Sequence, residues 1–329
     1  MPITEKQRAR RRQHLGSSDV AAILGVHPYK SAADVYLDKT ADFDETTDEA
    51  ESPAMRIGSA VEDGVLAMAE QELGQIRRNQ YRARPDLHLG ANIDGIVVRT
   101  GDPVEAKTAG LLNPFAPLDD WGKDTSTELV PDHVAVQAHV HILCLGQPNA
   151  PASDLPSVCY VPALIGGRGF GLYRVTLSVE LVRMIEDRAA DWWTRHVVAA
   201  TPPEIDPAGA GRVLETLKRV RREPQTTVAV DPVLVRAWRE ADAEAKQAEA
   251  KAKAAKAALL MAMQMEPDSD GRVLHAEAAD SPDGDRITYL PQSRRGIDAK
   301  RLTEEQPDLI DKYRTLSTYR VLRYRKPKP

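Results

Sequence analysis

Apolar positions along this chain change their spacing repeatedly, and each change marks an element. In SSDVAAILG, residues 17–25, Ser17 or Ser18 caps a short helix that Gly25 ends. A turn at His27-Pro28-Tyr29 follows, and Ser31 with Asp34 opens a second helix, AADVYLDKT, in the manner of a capping box. A third helix is predicted from about Ile57 to Leu73, with Gly74 as its stop. Its apolar stripe holds Leu66, Ala69 and Leu73, and Glu62 falls on the same stripe. Residues 87–98 and 103–108 alternate as strands do, and Thr100-Gly101-Asp102-Pro103 reads as the hairpin connection between them. PDHVAVQAHVHILCLG, residues 131–146, is apolar on nearly every side between Pro131 and Gly146, which predicts a buried helix.

Pro and Gly then crowd together at TPPEIDPAGAG, residues 201–211. That segment predicts a boundary between a first domain, residues 1–205, and a second, residues 206–329. Beyond it Trp238, Ala241, Ala245, Ala248, Ala252, Ala255, Leu259 and Ala262 recur at alternating steps of three and four, the seam of a long helix. Small seam residues call for a close-packed neighbour, so the expectation is a helical hairpin with Lys and Glu in solvent; a dedicated partner-binding surface is the other reading. From Asp270 the pattern breaks into short strand-like pieces, RVLHAEA and RITYLP, before a basic tail. The fold class these elements predict is α/β, a mixed central sheet flanked by helices, with a C-terminal helical hairpin and a small strand-containing region.

Composition narrows the function. With 42% hydrophobic and 28% charged residues and no run of about 18 apolar ones, the chain is not expected to cross a membrane. MPITEKQRARRRQHLGSS lacks the apolar core of a secretory signal, so a cytoplasmic location is expected. Cys144 and Cys159 alone form neither a disulfide framework nor a four-thiolate metal site, and both read as reduced core residues. A net charge of −5 argues against a protein that coats nucleic acid, yet the charge is uneven. Residues 6–12 carry five bases and no acid, residues 41–54 six acids and no base, and residues 312–329 seven bases and no acid. The tail interleaves Tyr313, Tyr319 and Tyr324 with those bases, which suits phosphate contacts and base stacking, or equally a C-terminal strand with a solvated fringe.

Candidate chemistry lies in the predicted hairpin. Glu105 and Lys107 in PVEAKT stand two apart, so on a strand both side chains leave the same face. NIDGIV puts Asp94 inside an apolar strand, where Gly95 permits a bulge or a close approach. Glu62, a carboxylate on an apolar stripe, needs a partner, as does the Gln137 amide on the buried helix. Two carboxylates and an ammonium in one place suit hydrolysis of a phosphodiester, in which a divalent cation held by hard oxygens neutralises the phosphate and activates water. Taken singly, each residue has an ordinary reading: a solvated cross-strand pair for Glu105 and Lys107, a turn residue for Asp94, a surface carboxylate for Glu62. His139 and His141, two apart on a helix, point to different faces and read as core or lining histidines rather than zinc ligands.

Arg11, LGSSDVAAILGVHPYKSAADVYLDKT, GSAVEDGVL, GANIDGIV, VEAKTA and VAVQAHVHILCLG resemble, in that order, the motifs of the YqaJ-like viral recombinases, relatives of lambda exonuclease among the PD-(D/E)xK nucleases. The resemblance spans residues 11 to about 146 and continues more weakly through PPEID and GIDAKRLTEEQPDLIDKY; it departs at Val134, where the family often has an aromatic residue. It implies a restriction-endonuclease-like fold and a Mg2+-dependent exonuclease, Mn2+ substituting, that digests linear double-stranded DNA from an end. Asp94, Glu105 and the Ala106 carbonyl would ligate the metal, Glu62 would be a further ligand, Lys107 would position or deprotonate the attacking water and Gln137 would support Lys107. Arg11 and Ser18 match positions that contact a DNA-end phosphate; a solvated basic run and a plain helix cap are the alternatives. The family further implies phage origin, a single-strand annealing protein as partner and a homo-oligomeric ring. A structure-specific or nicking endonuclease with the same centre, and a noncatalytic DNA-binding recombination scaffold, are the competing functions.

Overall fold

A computed structural model describes residues 10–43, 53–112, 118–122, 129–148, 151–293, 296–313 and 322. Most of the acidic stretch 41–54, Lys6 and Arg8 of the basic run, and Tyr319 and Tyr324 of the basic tail lie outside those residues. The chain divides into two compact units, Met1–Arg222 and Glu223–Pro329.

Local chemistry sets the helices of the first unit. Helix α1, Ser17–Ile23, is capped by Gly16, whose N–H donates to the Asp19 carboxylate, rather than by Ser17 or Ser18. The acid displaces the hydroxyls because its side chain also accepts from the buried Lys39 and the half-buried Lys30 ammonium groups, so it is fixed where it closes the turn. Gly25 follows the helix at a φ of 75°, the left-handed value a Cβ disfavours. Helix α2, Ala32–Thr40, has the expected capping box, with the Asp34 N–H donating to Ser31 Oγ and the Ser31 N–H donating to the Asp34 carboxylate. Helix α3, Pro53–Leu73, begins before the expected Ile57 and buries Val65, Leu66 and Ala69.

The sheet is mixed. In chain order its strands are β1 (Ile76–Arg84), β2 (Leu89–Val97), β3 (Pro103–Val104), β4 (Lys107–Ala109), β5 (Val158–Ile165) and β6 (Gly169–Thr176). Their spatial order is β1-β2-β3-β5-β4, with β6 also on β5. β1, β2 and β3 pair antiparallel, β3 and β4 run parallel to β5, and β6 returns antiparallel. The segment expected as one strand over 103–108 is thus interrupted at Glu105 and Ala106. Its register against β5 does not slip, since Val104 faces Tyr160 and Lys107 faces Ala163. The interruption has a direct cause, because the Ala106 N–H donates to Asp94 Oδ2 at 2.8 Å.

Helix α4, Asp132–Leu145, lies across the sheet and buries Val134, Val136, Ala138, Val140, Ile142 and Leu143 in the main core. Val134, where the resembling family often has an aromatic ring, is fully enclosed there. A second apolar cluster of Leu66, Ala69, Ile76, Val97 and Val104 locks α3 onto the hairpin side of the sheet. Helix α5, Val179–Trp192, completes the helical layer. Helix α6, Ala210–Arg219, also belongs to this unit: it buries Val213, and Thr216 donates to the Asp34 carboxylate at 3.0 Å. The unit therefore runs to Arg222 instead of stopping near residue 205.

The second unit holds one long helix, α7 (Pro232–Ala262), the hairpin β7–β8 (Ala278–Asp280 and Arg286–Thr288) and two short helices, α8 (Ala299–Glu305) and α9 (Pro307–Tyr313). The expected helical hairpin is not formed among the described residues: no second long helix accompanies α7, and none of its residues is buried. A seam of alanines spaced for packing does not by itself supply a partner.

Candidate active site

Hairpin register decides what the predicted acids can do. Gly95 faces Val104 and Ile96 faces Pro103, so the next facing pair outward is Asp94 and Glu105. Facing residues of an antiparallel pair leave the same face of the sheet. The ladder stops at this point, and the two carboxyls lie close enough that the Glu105 charge bears directly on Asp94. On the other edge of β2 the position opposite Asp94 is Asn79, which is left out of the β1–β2 ladder and adopts a φ of 55°. The sheet is therefore distorted on both sides of Asp94, a form of local strain that accumulates at functional positions. Gly95 answers to a close approach: a Cβ there would lie 2.3 Å from Ile76 Cγ2.

Electrostatics follow from crowding. Burial, then the neighbouring Glu105 charge, push the Asp94 carboxyl well above its ordinary range. Burial pushes Glu105 up too, but Lys107 and then His141 outweigh it and hold Glu105 below its usual value. Lys107 donates to Glu105 Oε1. Burial would lower this ammonium, but the Glu105 charge raises it, so Lys107 stays protonated in this arrangement. Glu62, half-buried on α3, is raised by burial and then by Glu105 and Asp63, which places it within electrostatic reach of the same centre. Asp94, Glu105, Ala106 and Lys107 are thus brought together, with Glu62 at their margin.

Gln137 is buried on α4, but its Oε1 has no hydrogen-bond partner among the described residues, and no bond to Lys107 is formed. Leaving such a group unmade costs about 1–3 kcal/mol. The two histidines differ as expected. His139 Nδ1 bonds the Ala135 carbonyl at 2.8 Å, and its Nε2 accepts from the Ser178 N–H at 2.9 Å, a satisfied core histidine. His141, fully enclosed, instead lies with Nδ1 3.3 Å from Glu105 Oε2. Sequence periodicity put His141 on a different face from His139 without showing that this face meets the acids. His27 and His133, whose rings lie 6.0 Å apart, were also missed; both are lowered by burial, with Lys107 the next cause for His133 and a later one, after His133 and Lys30, for His27. Cys144 and Cys159 are free and buried, as expected; burial pushes the Cys144 thiol up to about 12.

Arg11 and Ser18 line a separate cavity of about 220 Å3 with Arg10, Lys30, Tyr81 and Asn92. Asn92 stands two residues before Asp94 on β2, so the cavity and the acids share a face of the strand. In the cavity's own lining, Asp19 accepts from Lys30 at 2.8 Å and from Lys39 at 2.6 Å, and Lys39 also donates to the Arg11 carbonyl. Although burial opposes it, the two ammonium groups hold Asp19 well below the usual carboxylate range. The network fixes the Arg11 backbone and the start of α1 as one wall of the cavity.

Residues 7–146 match the YqaJ-like viral recombinase domain, so the resemblance drawn from the motifs holds over that segment. The chain is similar to the YqaJ protein of Bacillus subtilis strain 168, 29% identical over 224 residues, which are 67% of this chain and 64% of that one. The match therefore spans just under two thirds of the relative's length. Among solved structures, the chain is similar to an alkaline exonuclease from Laribacter hongkongensis at 17% identity and a TM-score of 0.44, covering 65% of this chain and all of the other. A phage-related exonuclease from Haemophilus somnus 129PT is similar at 10% identity and a TM-score of 0.40, over 57% of this chain and 96% of the other.

Proposed function

We propose that this chain is a Mg2+-dependent deoxyribonuclease that digests linear double-stranded DNA from an end. The observation that supports it most is that Asp94 and Glu105 face one another on the hairpin, crowded enough that the Glu105 charge adds to burial in raising the Asp94 carboxyl. Two acids crowded in this way constitute an unmet demand for positive charge. Among the described residues no three of His, Cys, Asp and Glu are grouped into a ready-made cage. Mg2+ keeps several waters and takes one or two carboxylates together with substrate phosphate rather than a full protein shell. Mn2+ would substitute.

In this reading Asp94, Glu105 and the Ala106 carbonyl hold the cation, and Glu62 adds a carboxylate or binds through water. Once bound, the cation neutralises the scissile phosphate and lowers the pKa of the attacking water. Lys107, an ammonium beside Glu105, orients that water and the phosphate oxygen. Gln137 completes the polar wall behind them, its free Oε1 available to Lys107 or to the water. Arg11 and Ser18, with Lys30 beside them, would take the terminal phosphate in the adjoining cavity, and the face shared by Asn92 and Asp94 leads from that phosphate to the cleavage point. A single-strand annealing partner and a homo-oligomeric ring accompany this function by family implication.

The test compares linear 5′-phosphorylated, linear unphosphorylated and closed circular duplexes with Mg2+. Digestion of linear DNA alone, abolished in both Asp94→Ala and Lys107→Ala and slowed in Arg11→Ala mainly on the 5′-phosphorylated duplex, is the expected result. Cleavage of closed circles would make the protein a nicking or structure-specific endonuclease with this centre. Binding without digestion by the wild type would make it a scaffold.

A further inference from the structure

Glu105 divides its two carboxylate oxygens between unlike neighbours. Oε1 accepts from Lys107, and Oε2 lies 3.3 Å from Nδ1 of His141. That second contact is within range but off the angle of a hydrogen bond, so both ring nitrogens of His141 are left without a partner among the described residues. In either neutral tautomer one of those nitrogens carries a hydrogen and the other a lone pair, so a fully enclosed imidazole without partners is a site prepared for an interaction not yet closed. One turn earlier on the same face of α4, Gln137 presents a second buried atom, Oε1, in the same condition. Apart from His139, whose two ring nitrogens are both bonded, helix α4 is apolar at its buried positions around them, with Val140 and Ile142 fully enclosed on either side of His141. The imidazole is therefore enclosed in a largely apolar wall with its Nδ1 3.3 Å from one carboxylate oxygen.

We infer that His141 is a positioning residue for Glu105: its Nδ1–H holds Oε2, fixing the carboxylate plane that a divalent cation meets. This inference rests on the reading of Asp94 and Glu105 as cation ligands. Without the contact, Glu105 has only Lys107 among the described residues to orient it, and Lys107 holds the other oxygen, Oε1. Groups that orient a ligating side chain commonly alter cation affinity about 10–100-fold when removed.

The side chain of Asn places its amide nitrogen near the position of His Nδ1, whereas that of Gln reaches toward Nε2. Mn2+ binding to the full-length, DNA-free protein, measured by titration calorimetry, thus separates a donor role from a packing role. His141→Leu is expected to weaken Mn2+ binding at least about tenfold, His141→Asn to stay within about threefold of wild type, and His141→Gln to resemble His141→Leu. Thermal melting of each variant confirms folding; if His141→Leu does not fold, the comparison of Asn with Gln decides. Equal affinity of the Asn and Gln variants, whether near wild type or reduced together, would overturn the inference, as would wild-type affinity in His141→Leu. Asp94→Asn serves as the control for the centre itself. Loss of Mn2+ binding there, with wild-type binding in His141→Leu, would reject His141 and leave the centre standing. No Mn2+ binding by the wild type would reject both.

Discussion

The buried charges around Asp19 show how much a single side chain can fix. Its carboxylate closes the first turn of α1, neutralises Lys39 and Lys30, and through Lys39 ties down the Arg11 carbonyl. A carboxyl whose folded pKa is depressed contributes stability that is present above its unfolded pKa and lost as pH falls through the folded one. Asp19 therefore stabilises the native state at neutral pH, and that contribution declines as pH drops below about 4, the unfolded Asp value. Asp19→Asn should cost about 3–5 kcal/mol at pH 7 by stranding Lys39, and chemical denaturation across pH 7 to 3 should show a flatter acid decline than wild type. None of this network was legible in the sequence, because its members are scattered over residues 11–39 and paired only by the fold. The pairing of Glu105 with Lys107 was legible, since their spacing puts an acid and a base on one strand face; Asp94 was a candidate by type, but its place beside them was not legible. His141 was half legible: helical periodicity separated it from His139 but said nothing of what its own face meets.

At the scale of elements, the strand over 87–98 and the segment 103–108 were foreseen, whereas β1, β5 and β6 were not. Ile76–Arg84 reads IRRNQYRAR, with Ile76 as its only aliphatic residue larger than alanine; it is a strand because β2 offers it a ladder. The third helix was recognised, but its start was placed late because Pro53 and Met55 lie on an exposed first turn that contributes nothing to the apolar stripe. Hairpin register was beyond the sequence, and it is what brings Asp94 opposite Glu105. Close approach between elements preserves it: Ile76 fills the space above Gly95. Gly95→Ala should destabilise the protein by about 1–3 kcal/mol through overpacking, measured by urea unfolding. Combining it with Ile76→Ala should cost less than the sum of the two single changes, because the shorter side chain vacates the space the new methyl needs.

Across the whole molecule, the apolar and charged pattern located two units but misjudged where the first ends. The Pro and Gly cluster at residues 201–211 marks a break in regular structure, yet α6 beyond it returns to the unit through Val213, through Thr216 on Asp34, and through the bridge between Val220 and Phe43. A chain ending at Arg222 should therefore melt cooperatively, followed by circular dichroism, whereas one ending at residue 205 should melt lower or fail to fold. A different consequence follows from the strand order. β5 lies between β3 and β4 in the sheet but comes after both in sequence. A chain severed between Gly122 and Leu129 would leave Asp94, Glu105 and Lys107 on one fragment and β5, Gln137 and His141 on the other. Neither piece alone would bring Asp94, Glu105 and Lys107 against Gln137 and His141, so tethering the halves to two proteins that meet would make the rebuilding of this wall report their encounter.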